Sequence, residues 1–589
     1  MKTVFTLLKQ VKEYKTVSII TPVFMVLEVI FETLIPLCMG RIITYGVEAN
    51  DGAGDLNYIF KMGGVMLILA LGALITGLLG GVFAAKASTG FAKNLRKEMF
   101  NRIQKFSFSN IDKFSTAGLV TRLTTDITNI QNAYQMMLRM CIRAPLSLIF
   151  AMAMAFFVSA RIAFVYLIAI FFLGIVVILM ATSAMKYFQQ VFVKYDELNS
   201  TVQENVGAIR VVKAFVKEEY ETNRMKEATN NIYKLFIKSE NIIVLVSPVM
   251  QITIYTCILF ISWLGARLII QNSLAVGDLS TLLAYCMNIL MNFLMMSMIF
   301  VMIMMSMASI KRVGEVMEEQ PDIVNPENPV MEVKNGSVDF ERVFFGYHKE
   351  ASEYVLKDIN LNIKSGETIG IIGGTGSAKS SLVNLISRLY DVSEGSVKVG
   401  GVDVREYDLE TLRNEVAVVL QKNVLFSGTI LDNLRWGNKE ATEEECIEAC
   451  KKACADDFIR QMPDGYNTYI EQGGTNVSGG QKQRLCIARA LLKNPKVIIF
   501  DDSTSAVDTA TDARIRKALA TDIPDTTKFI IAQRINSVKE ADRIIVMNDG
   551  VVDAVGTHEE LLESNAIYKE VYESQTGGSG DFDEPGGDN

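Results

Sequence analysis

The sequence predicts a two-part fold, an all-α membrane domain of six helices followed by a cytosolic α/β domain. Long apolar stretches recur up to about Met307, whereas the pattern from about Met331 onward is that of a charged, soluble α/β protein. A chain of 589 residues is also long enough for more than one domain. We therefore expect a membrane domain over residues 1–320, an α/β domain over 331–575 and a disordered acidic tail over 576–589.

Six apolar stretches reach the length of about 20 residues that a helix needs to cross a bilayer. The first is too long for a cleaved signal peptide and others follow it, which favours a polytopic protein embedded in a lipid bilayer. The predicted spans are residues 17–41, 58–85, 139–159, 162–184, 242–266 and 279–305.

Positive charge is concentrated in two long loops, residues 86–138 and 185–241, and in the N-terminal segment KQVKEYK. The positive-inside rule then places these loops and both termini in the cytoplasm, with the spans in the cytoplasmic membrane. Helical periodicity continues from the spans into both loops. We predict that the loop tips, near residues 109–126 and 197–215, dock on the cytosolic domain; simple extension of the helices is the alternative.

Four polar side chains inside the predicted spans are candidates for contact with a substrate. Glu28 and Glu32 are four residues apart and share a helical face, and carboxylates inside a membrane usually face a bundle interior or a cavity. They could bind a cation or pair with a neighbouring helix. Asn288 and Asn292 lie in a methionine-rich span, whose adaptable side chains suit varied ligands but are also ordinary lipid-facing residues.

The eight cysteines are scattered and do not form a disulfide framework, which suits a reducing compartment. Cys446, Cys450 and Cys454 recur every four residues and therefore lie on one face of a helix, where they could form a metal site or a row of buried thiols. No fourth ligand lies nearby in the sequence, which favours buried thiols. The net charge is −8 and the soluble half lacks a basic stripe with interleaved aromatics, so nucleic acid is not an expected partner.

The segment ETIGIIGGTGSAKSSLVNLI has the pattern of a strand, a Gly-rich turn and the start of a helix. It fits G-x-x-x-x-G-K-[ST], except that Ala378 replaces the glycine before Lys379. The loop N–H groups suit phosphate oxygens, Lys379 suits the β and γ phosphates, and the Ser380 hydroxyl suits Mg²⁺. We expect ATP binding to persist, weakened by the Cβ of Ala378. The residues predicted to hold ATP are Gly373, Gly374, Thr375, Gly376, Ser377, Ala378, Lys379, Ser380 and Ser381.

Two further motifs accompany this loop. About 120 residues later, VIIFDD reads as a buried strand that ends at Asp501, a carboxylate suited to the Mg²⁺ shell. Between the two lies NVSGGQKQRLCIARALL, in which a short polar motif opens a helix. The residues of that motif are Ser478, Gly479, Gly480 and Gln481.

With these motifs in order, the soluble half resembles an ATP-binding cassette domain, and VSGGQ matches the signature of that family with Val477 for the usual Leu. Six spans, two long loops and one cassette resemble an ABC exporter half-transporter of the multidrug or lipid type. The resemblance implies that Tyr347 stacks on adenine, that Gln421 links Mg²⁺ to the membrane half, and that Asp508 is the D-loop acid. Mg²⁺ would then be held by Ser380, Gln421 and Asp501. In the family two cassettes pair head to tail, so the signature residues contact the ATP of the other cassette.

Two residues depart from the catalytic pattern of the family. Asp502 stands where a glutamate is usual, and Gln533 stands where the switch histidine is usual. His348 and His558 are the only histidines, and neither is placed to substitute. A carboxylate one methylene shorter misplaces the attacking water, and a misplacement of about 1 Å can cost about 10²-fold in rate. An amide cannot handle a proton near neutral pH as imidazole does, so slow hydrolysis is expected at this phosphate loop.

The resemblance and its departures together imply a degenerate-site subunit of a heterodimeric exporter, whose partner half-transporter supplies the glutamate and the histidine. The alternatives are a homodimer with slow turnover, a nucleotide-gated regulator or channel, and an importer of the same fold. The apolar spans with their few polar groups favour small amphipathic substrates such as drugs or lipids, and peptides are an alternative.

Overall fold

The computed structural model describes residues 2–48, 54–347, 353–502 and 507–576. The chain divides into two compact units, one of Met1–Gln104 with Thr116–Glu319 and one of Lys105–Ser115 with Gln320–Asn589. His348 and residues 577–589 of the predicted tail lie outside the described residues.

The first unit is all-α. Its six stretches that are long and apolar enough to cross a membrane, within the part of the chain described, each overlap one predicted span: Thr3–Val47, Leu56–Ile103, Thr116–Val158, Ala160–Tyr187, Glu218–Ile270 and Val276–Met296. The prediction of six membrane helices is thereby confirmed. The α-helices up to residue 318 are α1 Lys2–Leu8, α2 Lys15–Ile42, α3 Leu56–Ile103, α4 Phe108–Phe114, α5 Thr116–Thr121, α6 Ile127–Val158, α7 Ala160–Gly207, α8 Ile209–Ala214, α9 Glu218–Val244, α10 Val246–Ile270 and α11 Val276–Glu318; all but α4 belong to the first unit.

Two of these helices are far longer than a membrane is thick. Helices α3 and α7 have 48 residues each, which at 1.5 Å per residue is about 72 Å. The hydrocarbon core of a bilayer is only about 30 Å thick. The helical periodicity that continues from the spans into the long loops therefore corresponds to continuous helix, as the alternative of simple helix extension requires.

The second unit is an α/β domain with two main sheets. One is antiparallel with strand order β2-β1-β4-β5, and the other is a mostly parallel, six-stranded sheet of order β12-β11-β3-β10-β9-β6. The strands are β1 Val338–Phe345, β2 Leu356–Ile363, β3 Thr368–Gly373, β4 Glu394–Val399, β5 Val402–Asp403, β6 Val416–Val419, β7 Gly428–Thr429, β8 Tyr469–Ile470, β9 Val497–Asp501, β10 Thr527–Ile531, β11 Arg543–Asn548 and β12 Val551–Gly556. The helices are α12 Lys379–Ile386, α13 Leu409–Glu415, α14 Ile430–Leu434, α15 Glu443–Lys452, α16 Asp456–Arg460, α17 Gly479–Leu491, α18 Thr509–Asp522, α19 His558–Ser564 and α20 Ala566–Thr576.

The parallel strands of the six-stranded sheet are buried on both faces, which explains their uninterrupted apolar sequences. In β9 every residue is buried, and alternate side chains enter two different cores. Ile498 and Phe500 pack into the core that contains α15 and α17, whereas Val497 and Ile499 pack into the core shared with the antiparallel sheet and α12. The sheet is thus the wall between the two hydrophobic cores of this unit.

The three evenly spaced cysteines of α15 and the turn after it belong to the first of these cores. Cys446 and Cys450 are fully buried and Cys454 is nearly so. Burial raises the pKa of the Cys450 thiol to about 12. No group of three His, Cys, Asp or Glu side chains within the described ranges is arranged to hold a metal ion. These cysteines are packed thiols, the interpretation that the sequence favoured.

Candidate nucleotide site and membrane ion cluster

The topology of the parallel sheet brings the predicted nucleotide residues to one edge. Strands β3, β10, β9 and β6 run parallel and are adjacent in that order, so their carboxyl ends share an edge. The phosphate loop follows β3, and Gln533 lies two residues after β10. Asp501 ends β9, with Asp502 directly after it, and Gln421 lies two residues after β6. Segments about 30 to 155 residues apart in the chain therefore meet at one site.

The side chain of Lys379 folds back onto the phosphate loop and hydrogen-bonds to it. The Lys379 ammonium donates to the backbone carbonyls of Gly373 and Gly374, each at 2.8 Å, and to the Ser377 hydroxyl at 3.2 Å. A Cβ added at Gly374 would meet nothing within 4 Å, so that face of the loop leaves space for a phosphate. Ala378 has φ 71° and ψ 22°, the left-handed conformation that favours glycine. The substitution in the motif therefore carries backbone strain.

The predicted magnesium ligands present oxygen atoms, as Mg²⁺ requires. The Ser380 hydroxyl donates to Oδ1 of Asp501 at 2.8 Å, so the two side chains are already adjacent. Burial raises the pKa of the Asp501 carboxyl, and the hydrogen bond from Ser380 opposes that rise. Burial lowers the pKa of the Lys379 ammonium, with Asp502 and Asp501 opposing the change. The residues present fit a nucleotide with Mg²⁺, held by Ser380 and Asp501.

Asp502 is held by amide groups from two neighbouring strand ends. Its Oδ2 accepts a hydrogen bond from Nε2 of Gln533 at 2.8 Å and a longer one, at 3.4 Å, from Nε2 of Gln421. Its backbone N–H donates to Ile531 at the end of β10 at 3.1 Å. With φ 46° it lies in the left-handed region, which aspartate tolerates better than most residues. The two residues that depart from the family pattern are thus direct hydrogen-bond partners.

Tyr347, the residue predicted to stack on adenine, is connected to the phosphate-loop helix. Its hydroxyl lies 2.8 Å from the Ser381 hydroxyl, and its ring makes an edge contact with Tyr390 at 5.1 Å between centroids. The ring is 42% exposed, so its outer surface is free to meet a ligand. Sequence reasoning missed Tyr390, whose position is set by a turn after α12.

Helix α4, which covers residues 109–114 of the first predicted loop tip, belongs to the second unit. Helix α4 begins after Ser107, whose backbone and side chain both bond to Asn110. The Tyr390 hydroxyl donates to Asp112 of α4 at 2.9 Å, and its ring contacts that of Phe108 at 6.0 Å. Tyr390 therefore touches both the tip of the first loop and Tyr347. Docking of the second tip, residues 197–215, stays a prediction.

The signature motif forms a well-made helix start. The Ser478 hydroxyl accepts from the N–H of Gln481 at 3.3 Å, while the Gln481 side chain accepts from the N–H of Ser478 at 2.9 Å. Gly479 and Gly480 form the first turn of α17, where N–H groups have no partner within the helix and suit an anion. Asp508 caps α18 by accepting from the N–H of Thr511 at 2.9 Å, a bond that lowers the pKa of its carboxyl.

The two carboxylates of the first span pair with a neighbouring helix. Arg143 of α6 donates to both oxygens of Glu32, at 2.8 and 3.0 Å, and its guanidinium lies 3.5 Å from Glu28. Of the two interpretations of Glu28 and Glu32, the structure shows helix pairing. A buried charge in lipid is costly unless it is paired, so this cluster ties α2 to α6. Arg143 was not identified from the sequence; an arginine inside a predicted span was the available signal.

Asn292 also bonds to α6. Its side-chain amide donates to the Ser147 hydroxyl at 2.9 Å and to the backbone carbonyl of Asn288 at 2.8 Å. Ser147 lies one turn after Arg143 and was likewise missed. All four polar residues predicted from the spans therefore belong to one polar seam that runs between α2, α6 and α11.

The fold and this site define a polytopic membrane protein with a P-loop nucleotide-binding domain. Residues 18–294 match the ABC transporter transmembrane region, and residues 356–505 match the ABC transporter domain. The chain belongs to the ABC transporter family and has the half-transporter layout of its exporters.

Several known proteins resemble this chain along most of its length. It is 34% identical to the uncharacterized ABC transporter ATP-binding protein YfiB of Bacillus subtilis (strain 168), over 97% of this chain and 98% of that protein. It is 30% identical to the ATP-dependent lipid A-core flippase of Desulfotalea psychrophila, over 84% of this chain and 86% of that protein. A solved structure of a bacterial Atm1-family ABC exporter with ATP bound shares the fold with a TM-score of 0.81 at 23% identity, over 95% of this chain and 99% of that one.

Proposed function

We propose that this chain is the degenerate-site subunit of a heterodimeric exporter that drives small amphipathic molecules, drugs or lipids, out across the cytoplasmic membrane with ATP. Its cassette and both termini would lie in the cytosol. The observation that carries the proposal is the hydrogen bond from Gln533 to Asp502 at 2.8 Å. It joins the two residues that, in an active site of this family, would be glutamate and histidine.

This pair is poorly suited to activating water. A general base must accept a proton from the attacking water, within hydrogen-bond reach of it. The Asp502 oxygen nearest Gln533 already accepts from two amides, and neither amide can take up a proton at neutral pH. ATP held by Lys379, Ser380 and Asp501 would therefore be bound for long periods and hydrolysed slowly.

The intact signature motif, Ser478 to Gln481, supports the proposal that this cassette also contributes to a second, active ATP site on the partner. Ser478 and Gln481 cap α17 without any departure from the pattern, and the two glycines leave its first N–H groups accessible. In a head-to-tail dimer these groups would face the γ-phosphate of the ATP bound by the partner. We propose that the partner supplies the glutamate and the switch histidine there.

The polar seam in the first unit supports an amphipathic substrate. Glu32, Arg143 and Asn292 place charged and hydrogen-bonding groups within helices that are otherwise apolar. A molecule with a polar head and an apolar body would find both kinds of contact. The name of the Desulfotalea relative, a lipid A-core flippase, is in keeping with a lipid-like substrate.

The asymmetry is tested by two substitutions in this chain alone. In the purified pair, Lys379→Ala removes the phosphate-loop cation of the degenerate site, whereas Ser478→Ala alters the signature that serves the partner. We expect Ser478→Ala to lower ATP hydrolysis by at least tenfold and Lys379→Ala to lower it much less. Equal losses would indicate a homodimer-like arrangement and contradict the proposal.

The lone chain provides the second test. In lipid nanodiscs it should bind ATP yet hydrolyse it slowly. Fast hydrolysis by the lone chain that Asp502→Asn abolishes would overturn the proposal, because Asp502 would then be an effective base. ATP-dependent uptake of a fluorescent amphiphile into inside-out vesicles containing the pair separates a pump from a nucleotide-gated channel, since a channel would only equilibrate the dye.

A further inference from the structure

We propose that Gln575, in the last helix of the chain, is a positioning residue for the nucleotide site: it holds in place the segment that carries Gln533. The inference rests on the proposed function of Gln533 and Asp502 as the degenerate pair. Gln575 lies 42 residues after Gln533 and outside every motif of the cassette. It touches no predicted ligand group and would act only through the segment it binds.

The side-chain amide of Gln575 makes two hydrogen bonds to residues 533–535, which we call the switch segment. Its Oε1 accepts from the backbone N–H of Ile535 at 2.9 Å, and its Nε2 donates to the backbone carbonyl of Gln533 at 2.8 Å. Gln533 lies two residues after the end of β10 at Ile531, and Ile535 is the first residue of the short 3₁₀ turn Ile535–Ser537. The last backbone bond from this segment to β3 is made by the N–H of Ala532, which donates to Ile371 at 3.3 Å, and beyond it the Gln575 side chain bonds to the backbone of Gln533 and Ile535.

Helix α20, which carries Gln575, is packed against the core of the second unit. Tyr568 of α20 is fully buried in the same core as Ile535, the last residue of the switch segment, and Val538, three residues further on. Its hydroxyl lies 2.8 Å from Nδ1 of His558, at the start of α19. The α20 helix is therefore fixed both to the core under the switch segment and to the preceding helix.

The consequence falls on Asp502. Gln533 is held at its backbone carbonyl by Gln575 and at its side chain by Asp502, both at 2.8 Å. If the hydrogen bond from Gln575 to the Gln533 carbonyl is lost, the backbone around Gln533 becomes more mobile. The hydrogen bond from the Gln533 side chain to Asp502 then has to offset a larger loss of conformational entropy. Loss of these two hydrogen bonds from Gln575 should lower by about tenfold the population in which the Gln533 side chain is bonded to Asp502.

The experiment measures release of a fluorescent ATP analogue from the full-length lone chain in nanodiscs. We expect Gln575→Ala to speed release about tenfold while the unfolding temperature changes little. Gln575→Glu keeps the acceptor for Ile535 but places a carboxylate against the Gln533 carbonyl, so it should behave like Gln575→Ala. Ser574→Ala, in the same turn of α20, is the matched control and should release the analogue at the wild-type rate.

A double variant separates positioning from a merely structural role. In a Gln533→Ala background, Gln575→Ala should have little further effect, because the side chain it positions is gone. A full tenfold effect in that background, or no effect of Gln575→Ala in the native chain, would overturn the inference. Neither result bears on the Lys379 and Ser478 comparison in the pair, so this inference and the proposed function can fail separately.

Discussion

The hydrogen bond between Gln533 and Asp502 predicts that these residues can be exchanged only together. Asp502→Glu lengthens the carboxylate by one methylene and drives it into the space of the Gln533 amide, which lies 2.8 Å away. Gln533→His replaces a long, flexible amide by a ring that has no matched partner in the short aspartate. Changing both restores the pairing of glutamate with histidine that the family uses at active sites.

The size of the effect follows from the contact. A hydrogen bond to a charged group contributes about 1.5–3 kcal/mol, and solvent exposure places this one at the lower end, so we expect a coupling free energy of about 1.5 kcal/mol between the two positions. In rate, this is about tenfold. The double variant should hydrolyse ATP at the degenerate site at least tenfold faster than either single variant. Asp502→Asn, which preserves the left-handed backbone preference, should give no gain and is the control.

The measurement is steady-state ATP hydrolysis by the pair, with the phosphate-loop lysine of the partner substituted so that only this chain's site can turn over. Hydrolysis and ATP affinity are determined for the wild type, both single variants and the double variant. Strictly additive effects would refute the reasoning, because they would mean that the two side chains act independently. Wild-type hydrolysis as fast as that of the double variant would refute it as well.

Three further predictions concern other contacts. Tyr390→Phe removes the 2.9 Å bond to Asp112, so substrate transport should fall several-fold while ATP affinity is unchanged, as vesicle uptake and nucleotide titration would reveal; equal losses in both would contradict this. Arg143→Ala removes the cation that lies beside the buried Glu28 and the partly exposed Glu32, and should lower the free energy of unfolding by about 3 kcal/mol, seen as an earlier thermal transition that Glu28→Gln partly restores. Ala378→Gly should relieve left-handed strain and raise that free energy by about 1 kcal/mol; an unchanged or lower value would show that the loop carries no strain there.

The parts of the fold that the sequence predicts are those with a strong local signal. The six spans follow from uninterrupted apolar length, and β9 follows from an apolar run that ends in Asp501. The strand before the phosphate loop also follows from its sequence, whereas the insertion of β10 between β3 and β9 is known only from the structure. Periodicity and motif spacing are sufficient for these features because burial on both faces imposes them along the chain.

The contacts that the sequence did not predict join residues that carry no such local mark. Gln575 is one glutamine in a polar helix end, and only the packing of α20 brings it to Gln533. Arg143 and Glu32 are 111 residues apart, so the choice between a cation site and an ion pair depends on how two membrane helices pack. Such pairs are determined by tertiary packing, and no local pattern in a single sequence identifies which two residues will meet.

The docking of α4 has a consequence for how the protein is made. This seven-residue helix leaves the ribosome about 280 residues before Tyr390, its partner in the second unit. At about 5–20 residues per second, the helix must wait roughly 15–55 s for the surface that covers it. During that interval Phe108 lacks its ring contact with Tyr390, and Asp112 lacks the hydrogen bond from the Tyr390 hydroxyl. The second unit can therefore finish folding only after synthesis of the first, and a cassette expressed without the loop would lack one of its own surface elements.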